Sequence, residues 1–183
     1  KIEREIENYV DEFRFDANNQ FKTDNFQLDL PKGTLYKSLK LQYYTKPVSP
    51  GFYSEIHVIH KNTVPLHKSA EIKIKPFGLP TELESKALLV IIDDNTGISW
   101  AAGGKFKNGW VTSSVRSFGE YAIKVDTIPP QIRALSINEQ KELTEPNRIR
   151  FKISDELSGI EEVEGLLDGK WALFEYDAKN NLI

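Results

Sequence analysis

The chain has 183 residues, enough for one large or two small domains, with 39% hydrophobic and 11% aromatic residues to build a core. Its 24 basic and 27 acidic residues are well mixed and leave a formal charge of −3, which excludes a basic nucleic-acid face and a like-charge tail. Cysteine is absent, so disulfides, Cys–zinc sites and thiol nucleophiles are excluded together, and no apolar run reaches the 18 residues a spanning helix needs.

The chain starts in a charged stretch without Met or a signal peptide, and reads as a segment of a longer protein. In the opening KIEREIENYVDEF, residues Ile2, Ile6, Tyr9 or Val10, and Phe13 fall at helical spacing. An extended lead-in over residues 1–12 fits equally well, and both readings stay open.

From Phe13 onward the period becomes two. Residues 26–30 (FQLDL), 39–43 (LKLQY) and 70–75 (AEIKIK) alternate strictly, with turn clusters at 16–19, 31–33 and 47–51. Residues 56–60 (IHVIH) are apolar and β-branched, and 79–84 read as a loop or single helical turn. The unbroken apolar run ALLVII, residues 87–92, predicts a strand covered on both faces. Asp93 to Gly97 forms a hairpin loop, Gly103-Gly104 a bulge or bend, and Asn108-Gly109 a tight turn. This spacing predicts eight or nine strands in a β-sandwich spanning residues 13–126.

Residues 117–132, SFGEYAIKVDTIPPQI, organise the rest. Phe118, Tyr121, Ile123 and Val125 mark the last strand of the first domain. Pro129-Pro130 cannot donate to a ladder, so the strand must stop, and Ile132 to Ile137 begins another. Further strands are expected at 148–154, 161–167 and 170–176, with Asp168-Gly169 as a type I′ turn. The expected fold class is therefore all-β: two immunoglobulin-like β-sandwich modules joined by a Pro-Pro linker. The second, 127–183, falls short of the roughly 100 residues such a sandwich takes and reads as incomplete.

Several strings resemble the C-terminal accessory region of lysostaphin-type zinc peptidases of Bacteroidetes. They are FQLDLPKGTLY (26–36), IHVIHKNTVPLHK (56–68), VRSFGEYAIKVDTIPP (115–130), ISDELSGI (153–160) and LDGKWALFEYDAKNN (167–181). The resemblance implies an upstream peptidoglycan endopeptidase domain as partner, a secreted or cell-envelope location, and a non-catalytic role for this segment without a cofactor. The family's His-x-x-x-Asp and His-x-His motifs are not present: the residues four places after His57, His60 and His67 are Lys61, Val64 and Glu71. LDLPKGTLY also resembles the β-sandwich domain that binds spectrin in ankyrins, which supports the sandwich alone.

Candidate sites stand beside plainer readings. His57, His60 and His67 make a zinc-like ligand count, but strand alternation sends His57 and His60 to opposite faces. Asp93, Asp94 and Asn95, or Asp155, Glu156 and Asp168, resemble loose calcium loops, yet turn chemistry explains both and neither has EF-hand spacing. Tyr43, Tyr44, Phe52, Tyr53, Trp100, Trp110 and Trp171 are aromatic enough to stack on sugars, against the commoner reading of core aromatics. Adjacent Tyr43 and Tyr44 must face opposite ways if they lie in a strand. Ser113, Ser114 and Ser117 sit in no hydrolase pattern.

The leading function is a spacer, docking or targeting region for a wall peptidase. The alternatives are a carbohydrate-binding module, marked by a planar row of exposed aromatics on one sheet face, and a surface assembly module using an exposed strand edge.

Overall fold

A computed structural model describes residues 9–138, 142 and 148–183. The chain divides into two compact units, Lys1–Asp126 and Thr127–Ile183. Both are all-β, with antiparallel pairing throughout the named strands. The lead-in question at residues 1–8 lies outside the described residues.

Among the described residues the first unit holds twelve strands rather than eight or nine. Five of them, β2 (Asn19–Lys22), β3 (Phe26–Leu30), β7 (Pro65–Ile74), β10 (Lys105–Lys107) and β11 (Trp110–Ser117), form one sheet in the order β10-β11-β7-β3-β2. A second sheet has the order β5-β6-β12-β8-β9. Its members are β5 (Tyr43–Lys46), β6 (Ile56–Ile59), β8 (Ala87–Ile92), β9 (Ser99–Gly103) and β12 (Gly119–Val125). A short pair, β1 (Asp11–Phe13) with β4 (Leu39–Leu41), completes the unit. That pairing takes Asp11 and Glu12 out of the lead-in and into the sandwich.

The two sheets share one core. Phe26, Leu28, Ile72, Ile74 and Val111 from the first sheet pack with Ile59, Leu89, Tyr121 and Ile123 from the second. FQLDL shows the period-two rule directly: Phe26, Leu28 and Leu30 are buried, while Gln27 and Asp29 are half-buried. An aromatic stack bridges the sheets. The Phe26 ring lies 4.9 Å from Tyr43 at 26° and 5.0 Å from His57 at 21°.

The apolar run of β8 is buried at five of its six positions, because β8 sits between β12 and β9. Its outer-face members Leu88 and Val90 are buried as well, so both faces of the strand are covered, as an unbroken apolar run requires.

The chain changes sheet at Phe118. β11 ends at Ser117 in the first sheet after a register shift between Val115 and Ser117, and β12 starts at Gly119 in the second. Phe118 is 1% exposed and fastens this corner into the core. The last strand of the unit in sequence therefore becomes the middle strand of its sheet, paired with β6 and β8.

The second unit carries two pairs, β13 (Gln131–Ala134) with β14 (Phe151–Ser154) and β15 (Gly165–Leu167) with β16 (Lys170–Ala172). Asp168 and Gly169 have φ of 50° and 76°, the positive values that a type I′ turn needs at both central positions. Leu182 and Ile183 return beside β14, where Phe151 and Ile183 exchange backbone hydrogen bonds of 2.9 Å.

Candidate functional site

A concavity of about 680 Å³ in the first unit opens at one end of the second sheet. Here β6 and β8 finish while β5 and β12 begin. Register fixes its floor. Tyr44 faces Val58, Val58 faces Glu120 and Glu120 faces Ile92, so these four side chains form one row across four strands. They project from the face opposite Tyr43, Ile59 and Tyr121, which belong to the core side.

Loops raise the walls. The segment after β6 contributes His60, Lys61, Asn62 and Thr63, and the β8–β9 hairpin contributes Asp94. Gln42 closes the side before β5, where its carbonyl accepts the His60 backbone N–H at 2.8 Å.

Three features of this end are uncommon in a purely structural surface. Glu120 is only 7% exposed, a carboxylate in a central strand whose other members up to Ile123 are apolar, with Lys46 Nζ donating to its Oε1 at 2.5 Å. His60 holds φ of 47°, a left-handed conformation that non-glycine residues adopt at a cost. Its Nδ1 is buried without a hydrogen-bond partner. The ring meets Phe118 edge-on at 5.4 Å, and burial, with a smaller push from Lys61, holds its pKa below the ordinary imidazole value. Gly119 lines the same floor at φ of 148°, where a Cβ would come within 3.4 Å of Ile91 Cδ1.

The three histidines take three different surroundings. His57 is 1% exposed inside the sandwich, where Tyr43 Oη lies 2.8 Å from its Nδ1. Burial pushes the His57 pKa down to about 4 and the Tyr43 pKa up to about 12, so near pH 7 both groups are neutral and the imidazole tautomer sets which of them donates. His67 is exposed and its Nδ1 sits 3.3 Å from Tyr36 Oη. Among the described residues no group of three His, Cys, Asp or Glu is placed to hold a metal ion.

The acidic loops have turn partners. Asp93 Oδ1 accepts from the backbone N–H groups of Asn95 and Thr96 and from Thr96 Oγ1, at 2.8 to 3.0 Å. Those bonds, led by the Thr96 amide, hold its pKa below the usual carboxylate value. Asp155 Oδ1 accepts from the N–H groups of Leu157 and Gly159 at 3.0 and 2.8 Å, and Asp168 occupies the tight turn. Ser113 donates to the Ala102 carbonyl at 2.6 Å, and Ser117 meets Tyr121 Oη at 3.2 Å.

The aromatics are dispersed. Tyr44 is 55% exposed on the outer face of β5, one edge of its sheet. Trp100 lies on β9, the other edge, in register with Ile91 on the core side, so four strand spacings, about 19 Å, separate the two rings' strands. Trp110 is on β11 of the other sheet, and Trp171 is in the second unit. Phe52 lies under the Lys124 ammonium at 4.9 Å, and Tyr53 packs against the core.

The Zu5-like domain family matches residues 10–126, more than half of the chain. The chain belongs to the Zu5-like domain family. The matched stretch ends at Asp126, where the first compact unit also ends, so the Zu5-like domain is the two-sheet body and its pocket. No curated protein matches the chain.

Sequence reading singled out Tyr44, His60 and Asp94 but missed their neighbours Glu120, Lys46 and Asn62. The available signal was Glu120 itself, one acid between Gly119 and Tyr121 in a strand whose other members up to Ile123 are apolar.

Proposed function

We propose that this chain is a non-catalytic docking and spacing region, in which the Zu5-like domain positions a larger cell-envelope protein. The carrying observation is the use to which its reactive side chains are put. His57 is locked into the inter-sheet stack, and Asp93, Asp155 and Ser113 each serve a turn or a strand contact. The parent is taken from the resemblance of residues 26–36, 56–68 and 115–130 to the accessory region of lysostaphin-type zinc peptidases. On that reading an upstream peptidoglycan endopeptidase cuts the wall of a Bacteroidetes cell, and this region sets its reach.

Incubation of the purified chain with peptidoglycan sacculi and zinc tests the reading. The expected result is cosedimentation with the sacculi and no soluble fragments released. Release of fragments by the chain alone would overturn the non-catalytic role, and failure to sediment would overturn the docking role. The flat-platform version of carbohydrate binding loses support, because Tyr44, Trp100 and Trp110 occupy separate edges and sheets.

A further inference from the structure

We propose that the concavity bounded by Tyr44, His60, Asn62, Asp94 and Glu120 is a binding site for the end of a neutral, polyhydroxylated saccharide chain. The inference extends the docking reading by giving the domain a ligand, and it does not depend on what the parent protein is.

Charge decides the class. Lys46 and Lys61 stand against Glu120 and Asp94, two cations and two carboxylates, so the site offers no net field to a phosphate or a metal cation. The Lys46–Glu120 pair leaves the second carboxylate oxygen of Glu120 as an acceptor whose charge is already balanced. Around it stand groups that both give and take hydrogen bonds: the amides of Gln42 and Asn62 and the hydroxyls of Thr63 and Tyr44. Sugar hydroxyls are likewise donors and acceptors at once, and a rim of this composition satisfies them in either role.

The floor suits the other side of a pyranose. Val58 is a buried aliphatic and the exposed Tyr44 ring stands beside it in register, an apolar patch for the ring's C–H face, while buried Ile92 lies beyond Glu120 in the same row. A volume of about 680 Å³ lies inside the usual range for small-ligand pockets, roughly 300–1,000 Å³, with room for a short oligosaccharide. The shape selects a chain end, because it is a pocket bounded by two loops and not a row of rings.

Two further observations mark the His60 loop as more than a connection. His60 Nδ1 is buried without a hydrogen-bond partner among the described residues. The left-handed backbone at His60 is the kind of strain that persists where surrounding structure holds a binding loop in place.

The test is a titration of the whole chain with cellobiose, maltose and N,N′-diacetylchitobiose, each to about 10 mM, read by amide chemical shifts. Glucuronate serves as the charged control. At least one neutral disaccharide is expected to shift amides within residues 42–44, 60–63 and 119–120. Tyr44→Ala and Asn62→Ala, an edge and a loop position whose unchanged spectra elsewhere report an intact fold, should each weaken binding about tenfold or more. Shifts from none of the three, shifts confined to other segments, binding by glucuronate alone, or full affinity in both variants would overturn the site. Sedimentation with sacculi is read separately, so loss of this site and loss of the docking reading are distinguishable.

Discussion

Antiparallel strands joined by similar turn chemistry end in very different environments in the two units. In the Zu5-like domain two five-stranded sheets face one another, and 24 apolar residues from Phe13 to Ile123 are buried. In Thr127–Ile183 Ile153 is the buried hydrophobic side chain among the described residues. Ile132, Leu166, Leu167, Trp171 and Leu173 are all more than half exposed there. Alternation is thus necessary for a sandwich and not sufficient. A strand's apolar face stabilises only when a second layer removes it from water, at roughly 25 cal/mol per Å² of apolar surface.

The contrast is most directly challenged by large-to-small changes. Phe26→Ala removes the ring that stacks on both Tyr43 and His57, and should cost the Zu5-like domain about 3–5 kcal/mol in denaturant unfolding. Ile153→Ala, in the other unit, should leave that transition unchanged within about 0.5 kcal/mol. Equal effects would mean one cooperative core across both units.

Acid should separate them next. His57 keeps a folded pKa of about 4 against the ordinary imidazole value of 6.5 because burial disfavours its charge. The unfolded state therefore binds more protons between those values, and stability falls as pH drops from about 6.5 to 4. The loss reaches about 3 kcal/mol by the lower limit. His60, lowered in the same direction, adds to the slope. Equilibrium unfolding at several pH values, compared with His57→Phe, reads the His57 share as the part that the variant lacks. An identical slope in the variant would show that His57 is hydrated in solution.

Ser54→Ala probes a smaller contribution. Ser54 Oγ, 1% exposed, accepts the Ile123 backbone N–H at 3.0 Å and donates to the Glu55 carbonyl at 2.7 Å. Orphaning the buried amide should cost about 1–3 kcal/mol by thermal or denaturant melting. The smallest effect is expected at Trp171→Ser, which should change unfolding free energy by no more than about 0.5 kcal/mol while reducing binding of a hydrophobic dye.

Much of the fold is visible in the residues because local chemistry and tertiary environment agree. FQLDL, AEIKIK and ALLVII became β3, the end of β7 and β8, and the Asn108-Gly109 and Asp168-Gly169 turns have the positive φ values their residues favour. The misses share a cause. β2, NQFK, carries one apolar residue and depends on its pairing with β3 at a sheet edge. β7 reaches back to Pro65 through His67 and Lys68, whose polarity hides a strand that β11 pairs from Pro65 to Ile74. The pocket was harder still. Its walls come from residues 42–44, 58–63, 91–94 and 119–120, segments that only register brings together, and no motif links them. Its one local sign, Glu120, reads as an ordinary outward charge until Lys46 and the row Tyr44–Val58–Glu120–Ile92 are placed beside it.

Native-state hydrogen exchange on the whole chain tests the contrast between the units at every amide at once. The account predicts the slowest exchange in β3, β7, β8 and β12, at the level of global unfolding, and exchange faster by orders of magnitude in β13 to β16. Protection in β13 to β16 equal to that of β8 and β12 would contradict it.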